Sequence, residues 1–359
     1  MTNPLSTEQV IAALDTVMDP ELGRSIVAAG MVKDIRIDGN KVSFTLELTS
    51  PACPLRNTLR QGAEEAVRAV PGVTDVSIKL TSRVRSTVSN VELLPKVCNV
   101  IAVASGKGGV GKSTVAANLA TALAQTGAKT GLLDLDIYGP SAPLLFGITD
   151  ERPEMDSDQQ KLRPIEAHGV KVMSLGLLMD PDQAVIWRGP MVARAVMQLL
   201  GDVDWDELDY LVVDLPPGTG DAQLSLAQSV PITGVVIVAT AQDAALLIAT
   251  KALRMFQSMK VPILGIVENM SSFVCPNCET ETQIFGREGA VEDAAKRLRI
   301  PFLGRVPLNA AIVVDGDRGI PTVASEPNSP QATAFQAIAN KVAGQVSVAA
   351  ILRGDTPTK

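Results

Sequence analysis

A glycine-rich segment near residue 110 constrains this chain more than any other feature of its sequence. It follows an apolar run and reads GKGGVGKST. The spacing G-x-x-x-x-G-K-[ST], between a predicted strand and a predicted helix, is typical of a loop whose backbone N–H groups surround phosphate oxygens. We therefore predict a nucleotide-phosphate site made of Gly106, Lys107, Gly108, Gly109, Val110, Gly111, Lys112, Ser113 and Thr114.

Three side chains of this loop need separate interpretation. Lys112 is predicted to reach the β- and γ-phosphates, and the Ser113 hydroxyl is predicted to bind Mg²⁺. Lys107 stands at the second position of the loop, where phosphate binding requires no basic residue. Two interpretations of Lys107 are open, a solvated lysine and a cation that stabilises transition-state charge.

Hydrolysis of a nucleotide also requires carboxylates at the ends of strands beside the loop. Two apolar runs end in aspartates, one at Asp134-Leu-Asp136 and the other at Asp214. We assign Asp214 to the Mg²⁺ side of the site, acting through water, and Asp136 to the attacking water. Because aspartates also form ordinary turns after strands, a structural role is the alternative for each.

The sequence from residue 97 predicts an α/β domain over residues 97–350. Apolar runs alternate there with helical stretches, which is typical of a doubly wound, mostly parallel sheet that is buried on both faces. A closing helix is predicted at 331–346, and a polar surface loop at 149–163. The predicted strands are 97–104, 130–135, 170–175, 210–214, 234–240, 263–268 and 302–306.

A small α+β domain is predicted to precede it, over residues 1–85. Ser6 or Thr7 can cap a short amphipathic helix, and two alternating strands meet at the turn residues Asp38-Gly39-Asn40. A helix at 55–70 and a strand at 73–80 complete the domain. We predict a linker at 86–96 and a tail at 351–359.

Composition limits the partners that the chain can have. Its net charge of −7 and its aromatic content of 3% disfavour binding to nucleic acid. No apolar stretch reaches the length of about 18 residues that a membrane span needs, and the first residues do not read as a signal peptide. With only four cysteines, we expect a cytoplasmic protein that has no stable membrane association.

Two of the cysteines, Cys275 and Cys278, have the spacing of a metal-binding turn. One chain supplies only half of a four-ligand site, whereas a two-fold dimer would supply four thiolates, enough for a 4Fe–4S cluster or a zinc ion. A structural knuckle and a redox pair are the alternatives. Catalytic C-x-x-C pairs usually stand at the start of a helix. The redox pair is therefore disfavoured, because an acidic, β-prone stretch follows Cys278.

The other candidate ligands stand alone in the sequence. Cys98 lies inside a predicted strand and is expected to be a small core residue. Cys53 follows a strand in a turn, where either a thiol role or a structural role is possible. His168, beside Gly169, is expected to be a surface or packing residue rather than a ligand.

These motifs, with several other stretches, carry a resemblance to a known family. The additional stretches are LLDLDIYGPS at 132–141, WRGPM at 187–191, DLPPGTGD at 214–221 and GIVENM at 265–270. With the C-x-x-C pair, they closely resemble the Mrp/ApbC iron–sulfur carrier ATPases over nearly the whole chain. The loop itself is similar to the deviant Walker A motif of MinD/ParA-type ATPases, and residues 1–85 are similar to a small iron–sulfur-assembly domain.

The resemblance implies an ATP-hydrolysing homodimer that receives a labile 4Fe–4S cluster from a scaffold and passes it to apo-proteins. It implies that Lys107 reaches across the dimer interface to the partner's phosphates, and that Asn269 contacts adenine. It leaves the roles of Trp187, Arg188 and Cys53 open.

Two other classes share some of these features. A MinD/ParA-like positioning ATPase with a structural zinc knuckle would need a basic amphipathic C-terminal helix or a basic DNA-binding face, and the sequence favours neither. A reductase-type electron donor resembling the nitrogenase reductase would hold its cluster with cysteines from separate loops rather than with one C-x-x-C.

Overall fold

A computed structural model describes most of the chain, namely residues 5–87, 93–136, 139–156, 160–179, 189–218, 223, 232–275, 278 and 280–354. Residues 88–92 of the predicted linker, residues 355–359 of the predicted tail, and both Trp187 and Arg188 lie outside the described residues. The chain divides into two compact units, of which the first ends at Arg85 and the second begins at Ser86.

The first unit is a small α+β fold, as predicted. Helix α1 begins after Ser6, whose hydroxyl accepts the backbone N–H of Gln9 in a capping box. Strands β3 and β4 form the predicted hairpin, whose turn contains Gly39 at a φ of 57°. The elements are α1 Thr7–Leu14, β1 Met18–Asp19, β2 Arg24–Ser25, β3 Val32–Asp38, β4 Lys41–Leu48, α2 Arg56–Arg68 and β5 Asp75–Ser82.

Alternation along β4 builds the core of this unit. Every second residue of β4 is buried, so one face of the sheet β3-β4-β5 is apolar. Helices α1 and α2 cover that face with Val10, Leu14, Leu59, Ala63 and Val67, each at most 1% exposed.

The described residues of the second unit are built around a mostly parallel sheet of nine strands, which confirms the predicted fold class. Its order is β10-β11-β7-β12-β6-β13-β14-β15, with β16 paired to β14; only β10 and β15 pair antiparallel to their neighbours. The strands are β6 Val97–Ser105, β7 Thr130–Asp134, β10 Ile165–Ala167, β11 Val170–Ser174, β12 Leu208–Asp214, β13 Gly234–Ala239, β14 Ile263–Val274, β15 Glu281–Thr282 and β16 Phe302–Leu308.

Helices flank this sheet, and apolar side chains of the central strands are buried beneath them. Among the described residues, no helix is both long enough and apolar enough to span a bilayer. The helices are α3 Lys112–Gln125, α4 Ala142–Leu145, α5 Gly189–Gly201, α6 Asp243–Ser258, α7 Ala290–Leu298, α8 Ala310–Asp317, α9 Thr322–Ser325 and α10 Pro330–Gly354, with a 3₁₀ turn at Leu175–Leu177.

The structure departs from the predicted elements in several places, and the sheet adds β10 and β15 to the seven predicted strands. β14 continues six residues beyond 268, because its polar residues are held by a neighbour: the Ser271 hydroxyl donates to the Val306 carbonyl of β16 at 3.2 Å. The predicted loop at 149–163 contains a short hairpin, β8 Met155–Asp156 with β9 Lys161–Leu162. Helix α10 extends to Gly354, eight residues beyond the predicted end.

Candidate nucleotide site and cysteine hairpin

The glycine-rich loop connects β6 to α3 at the carboxyl edge of the parallel sheet. Gly109 and Gly111 have φ angles of 76° and 74°, a conformation that residues with side chains rarely adopt. Gly111 has a second constraint, because a Cβ atom there would lie 2.2 Å from Nδ2 of Asn269. Since α3 begins at Lys112, the unpaired N–H groups of its first turn face this loop, where an anion is stabilised.

Lys112, Ser113 and Asp214 lie together at the start of α3. The Lys112 ammonium is only 6% exposed; it donates to Ser113 Oγ at 3.2 Å and forms an ion pair with Asp214 at the end of β12. Burial raises the pKa of the Asp214 carboxyl, while Lys112 and the Ser113 hydroxyl act in the opposite direction. An ammonium, a hydroxyl and a carboxylate therefore converge at one point.

A second buried carboxylate, Asp134, lies beside Asp214 and was not among the predicted site residues. It ends β7 in register with Asp214 and accepts hydrogen bonds from Asp136 N at 2.9 Å, Ala142 N at 3.1 Å and Ser174 Oγ at 3.2 Å. Burial, and then the charge of Asp214, raises the pKa of Asp134 to about 7. The signal in the sequence was that Asp134 and Asp214 are each the first charged residue after an apolar run.

Asp136, the residue predicted to position the attacking water, lies just beyond β7 and is half-buried. Its charge is close enough to raise the pKa of Asp214. It therefore faces the same edge of the sheet as the phosphate loop.

Lys107 is half-buried and contacts its own chain. Its Nζ donates to Oε1 of Gln242 at 2.8 Å, and Gln242 immediately precedes α6. Nothing in the sequence pattern singles out Gln242, because it is 135 residues away from Lys107.

Asn269 lies against the opposite side of the loop. It is 6% exposed, and its Nδ2 donates to the Val110 carbonyl at 2.8 Å. A cavity of about 180 Å³ opens beside Asn269, Gly111 and Thr114. Its other lining residues include Met270, Pro307, Leu308, Asn309, Ile312 and Val313. A mostly apolar cavity with an amide at its edge suits a planar nucleobase.

Beyond Asn269, β14 bends and leads to the cysteine pair. Met270 has a φ of 55°, and the four-residue step from Asn269 to Phe273 in β14 spans a two-residue step in β16, as in a β-bulge. Phe273 and Val274 then pair with β15. We call the described residues of this turn, 273–275, 278 and 280–282, the cysteine hairpin.

Thr280 contacts both cysteines of the hairpin. The Cys275 N–H donates to the Thr280 carbonyl at 3.1 Å, and the Cys278 sulfur lies 3.3 Å from the Thr280 hydroxyl. Cys275 is half-buried and Cys278 is exposed, and neither forms a disulfide. The hydrogen bond with the Thr280 side chain lowers the pKa of the Cys278 thiol.

The remaining candidate residues are Cys53, Cys98 and His168. Burial raises the pKa of the half-buried Cys53 thiol in the first unit, and Cys98 of β6 is half-buried rather than fully in the core. The exposed His168 contacts the Gly319 carbonyl at 2.9 Å, as expected for a packing residue. Within the described part of the chain, no group of three or more His, Cys, Asp or Glu side chains could hold a metal ion.

Two models of known protein families match this chain. A model of the NUBPL iron-transfer P-loop NTPases matches residues 96–343, and a model of iron–sulfur cluster assembly proteins matches residues 7–80. The chain belongs to the NUBPL iron-transfer P-loop NTPase family. The resemblance found in the sequence motifs is confirmed at this level.

Two similar proteins cover nearly the whole chain. The chain is 50% identical to a protein of Synechocystis over 97% of this chain and 100% of that protein. It is 47% identical to a protein of Deinococcus radiodurans over 95% of this chain and 96% of that one. Both relatives are named iron–sulfur cluster carrier protein.

Solved structures agree with the fold. A nucleotide-binding protein from Archaeoglobus fulgidus, in complex with ADP, is 40% identical, with a TM-score of 0.57 over 66% of this chain and 91% of that chain. The cell division ATPase MinD of Pyrococcus furiosus is 23% identical, with a TM-score of 0.51 over 68% of this chain and 98% of that one, a likeness of fold alone.

Proposed function

We propose that this family member is an ATP-hydrolysing carrier whose homodimer holds a labile 4Fe–4S cluster between two copies of Cys275 and Cys278. The observation that carries this proposal is the position of the two thiols. They lie in a surface hairpin, outside any disulfide, at the end of the strand that brings Asn269 to the phosphate loop. A two-fold axis beside this hairpin would bring four thiolates together, which is the ligand set of such a cluster.

The cluster is cargo in this proposal. A scaffold protein donates it and apo-proteins receive it, as the name of the relatives at 50% and 47% identity supports. Exposure of Cys278 favours exchange, because a partner's thiolate can approach the metal from solvent. We place the exchange in the cytoplasm, without nucleic acid and without stable membrane association.

The nucleotide half of the proposal assigns ATP to the loop from Gly106 to Thr114. Lys112 holds the phosphates, Asp136 positions the attacking water, and Asn269 contacts the base. The Ser113 hydroxyl and the Asp214 carboxylate are oxygen donors within hydrogen-bonding reach of each other, a donor set that fits Mg²⁺. When bound there, Mg²⁺ neutralises charge on the phosphates.

Two further assignments complete the proposal. In the closed dimer, Lys107 exchanges Gln242 for the phosphates of the partner subunit, where a cation stabilises transition-state charge. Residues 1–85 form a separate iron–sulfur-assembly domain, residues 97–350 form the ATPase domain, and residues 86–96 link them.

Anaerobic reconstitution tests the cluster site. The full chain is purified without oxygen and incubated with iron and sulfide, and iron, sulfide and zinc are then measured per dimer beside Cys275→Ala, Cys278→Ala and the control Cys53→Ala. We expect about four irons and four sulfides per dimer, lost in the first two variants and kept in the control. A cluster that survives Cys275→Ala, or zinc that iron does not displace, contradicts the proposal; the zinc result favours a positioning ATPase with a zinc knuckle.

Transfer of the cluster tests the requirement for ATP. Lys112→Ala removes the ammonium that holds the phosphates. We therefore expect ATP hydrolysis to fall by at least about 100-fold. ATP-dependent delivery of cluster to an apo-protein should fall by at least about 10-fold. Delivery by Lys112→Ala at the wild-type rate would exclude a role for ATP in transfer.

A further inference from the structure

Both arms of the cysteine hairpin are attached to the phosphate loop. The first attachment is through β14, because Asn269 donates to the Val110 carbonyl of the loop and Cys275, six residues further along the chain, directly follows the last residue of that strand. Six residues span at most about 20 Å of chain. This arm therefore begins in direct contact with the loop and ends at the first thiol.

The second attachment is through the segment that follows the hairpin, residues 283–289. Gly286 in this segment has a φ of 62°, and a Cβ atom there would lie 2.0 Å from the Ala241 carbonyl oxygen and 2.5 Å from the carbonyl carbon. The backbone at Gly286 is therefore packed directly against the backbone of Ala241, with no side chain between them.

Ala241 is followed by Gln242, which accepts the hydrogen bond from Lys107. The loop touches the next helix at a second point as well: a Cβ atom on Gly106 would lie 2.5 Å from the backbone carbon of Ile248 in α6. The loop, the start of α6 and the segment 283–289 thus form a continuous packed chain of contacts. Packed contacts of this kind transmit displacement, because they contain no free volume to absorb it.

We propose that Gln242 is a positioning residue that couples occupancy of the nucleotide site to the geometry of the cysteine hairpin. The Lys107 ammonium bonds a neutral amide in this structure, and phosphate oxygens offer it a stronger, charge-assisted bond. When Lys107 leaves Gln242, the packing of Gly106 against Ile248 remains, but the Ala241–Gln242 segment loses its hydrogen bond to the loop and moves together with Gly286, which is packed on it. The other arm stays bonded at Asn269, so the two arms shift relative to each other and Cys278 changes its exposure.

This inference rests on the proposed function for the binding of ATP to the loop and for the closed dimer in which Lys107 reaches the partner's phosphates, and its test needs no cluster. Full-length protein without cluster is alkylated with iodoacetamide, with and without Mg²⁺ and a non-hydrolysable ATP analogue. Mass spectrometry follows the rate at Cys278 alone. The quantity compared is the ratio of the two rates, and the affinity for the analogue is measured for every variant.

Two variants break the coupling at different points, and each has a matched control. Gln242→Ala removes the acceptor of Lys107, and Gln257→Ala makes the same change at an exposed position at the other end of α6. Gly286→Ala forces residues 283–289 away from Ala241. Gly127→Ala adds a methyl group at another positive φ, 94°, with no atom within 4 Å.

In the wild type and both controls, we expect the analogue to change the rate at Cys278 by about five-fold or more, the usual lower range of coupling between sites. In Gln242→Ala and Gly286→Ala, we expect a ratio near one while the analogue still binds. A wild-type ratio of one, or an undiminished ratio in Gln242→Ala, overturns the inference. The proposed function fails separately, by the absence of a Cys275-dependent cluster after reconstitution.

Discussion

At the scale of single residues, the nucleotide site places two buried carboxylates beside one ammonium. Asp134 and Asp214 are each 1% exposed, and Lys112 forms its ion pair with Asp214. Burial, and then the charge of the neighbouring Asp214, raises the pKa of the Asp134 carboxyl to about 7. A further cation bound at this site would therefore be stabilised.

Asp134→Asn should change how stability depends on pH in protein free of nucleotide and metal. The Asp134 pKa rises from 3.8 in the unfolded chain to about 7 in the folded one, so its contribution to stability is complete below about pH 4 and lost as pH rises through about 7. A shift of about three units corresponds to a loss of up to about 4 kcal/mol. The neutral Asn variant should lack this loss.

Urea unfolding at several pH values between 4 and 8 measures this effect. The free energy of unfolding of Asp134→Asn should increase relative to that of the wild type as pH rises, so that the variant becomes relatively more stable, whatever constant cost the changed hydrogen bonds impose. Asp150→Asn, at an exposed position, is the control. Parallel pH profiles for Asp134→Asn and the wild type would show that Asp134 is already ionised in the folded protein.

At the scale of elements, strand β14 connects the central sheet to both the phosphate loop and the cysteine hairpin. It pairs with β13 and β16 in the sheet, carries Asn269 beside the loop, and ends at the cysteine hairpin. Its apolar first half was predictable because buried parallel strands form continuous apolar runs. Its second half was not, since that half is held by pairing with β16 and by the hydrogen bond from the Ser271 hydroxyl to the Val306 carbonyl, rather than by a continuous apolar run.

Gly265→Ala tests the close approach between β14 and β16. A Cβ atom on Gly265 would lie 2.6 Å from both Leu303 Cγ and the Pro301 carbonyl oxygen, so the strands must separate to accept it. We expect a loss of about 1–3 kcal/mol in the free energy of unfolding of the second unit, the usual cost of overpacking. Thermal and urea unfolding measure it, with Gly127→Ala as the open-space control. Equal stability of the two variants would contradict this packing.

At the scale of the whole molecule, the chain contains two compact units with separate apolar cores. The core of the first includes Leu46 and Leu59, and the core of the second includes Val100 and Val213. A defect in one core should therefore remain within its own unit.

Leu46→Ala should lower the stability of the first unit by about 2–5 kcal/mol, because it leaves a cavity at a fully buried position. Nucleotide affinity, which depends on the second unit, should not change. Differential scanning calorimetry and nucleotide titration measure the two effects. Val213→Ala, at a fully buried position of β12, is the reciprocal variant and should destabilise the second unit instead. Loss of nucleotide binding in Leu46→Ala would mean that the units do not unfold independently.

The sequence by itself determined the features that depend on residues close together in the chain. The phosphate loop, the seven predicted parallel strands and the C-x-x-C spacing are local patterns, because periodicity and short spacings translate directly into turns, faces and neighbouring ligands. Only the tertiary structure decided which distant residues meet: Asp134 with Asp214, Lys107 with Gln242, and Gly286 with Ala241. These contacts depend on strand order and on the close approach of backbones, and no local pattern of side chains encodes either.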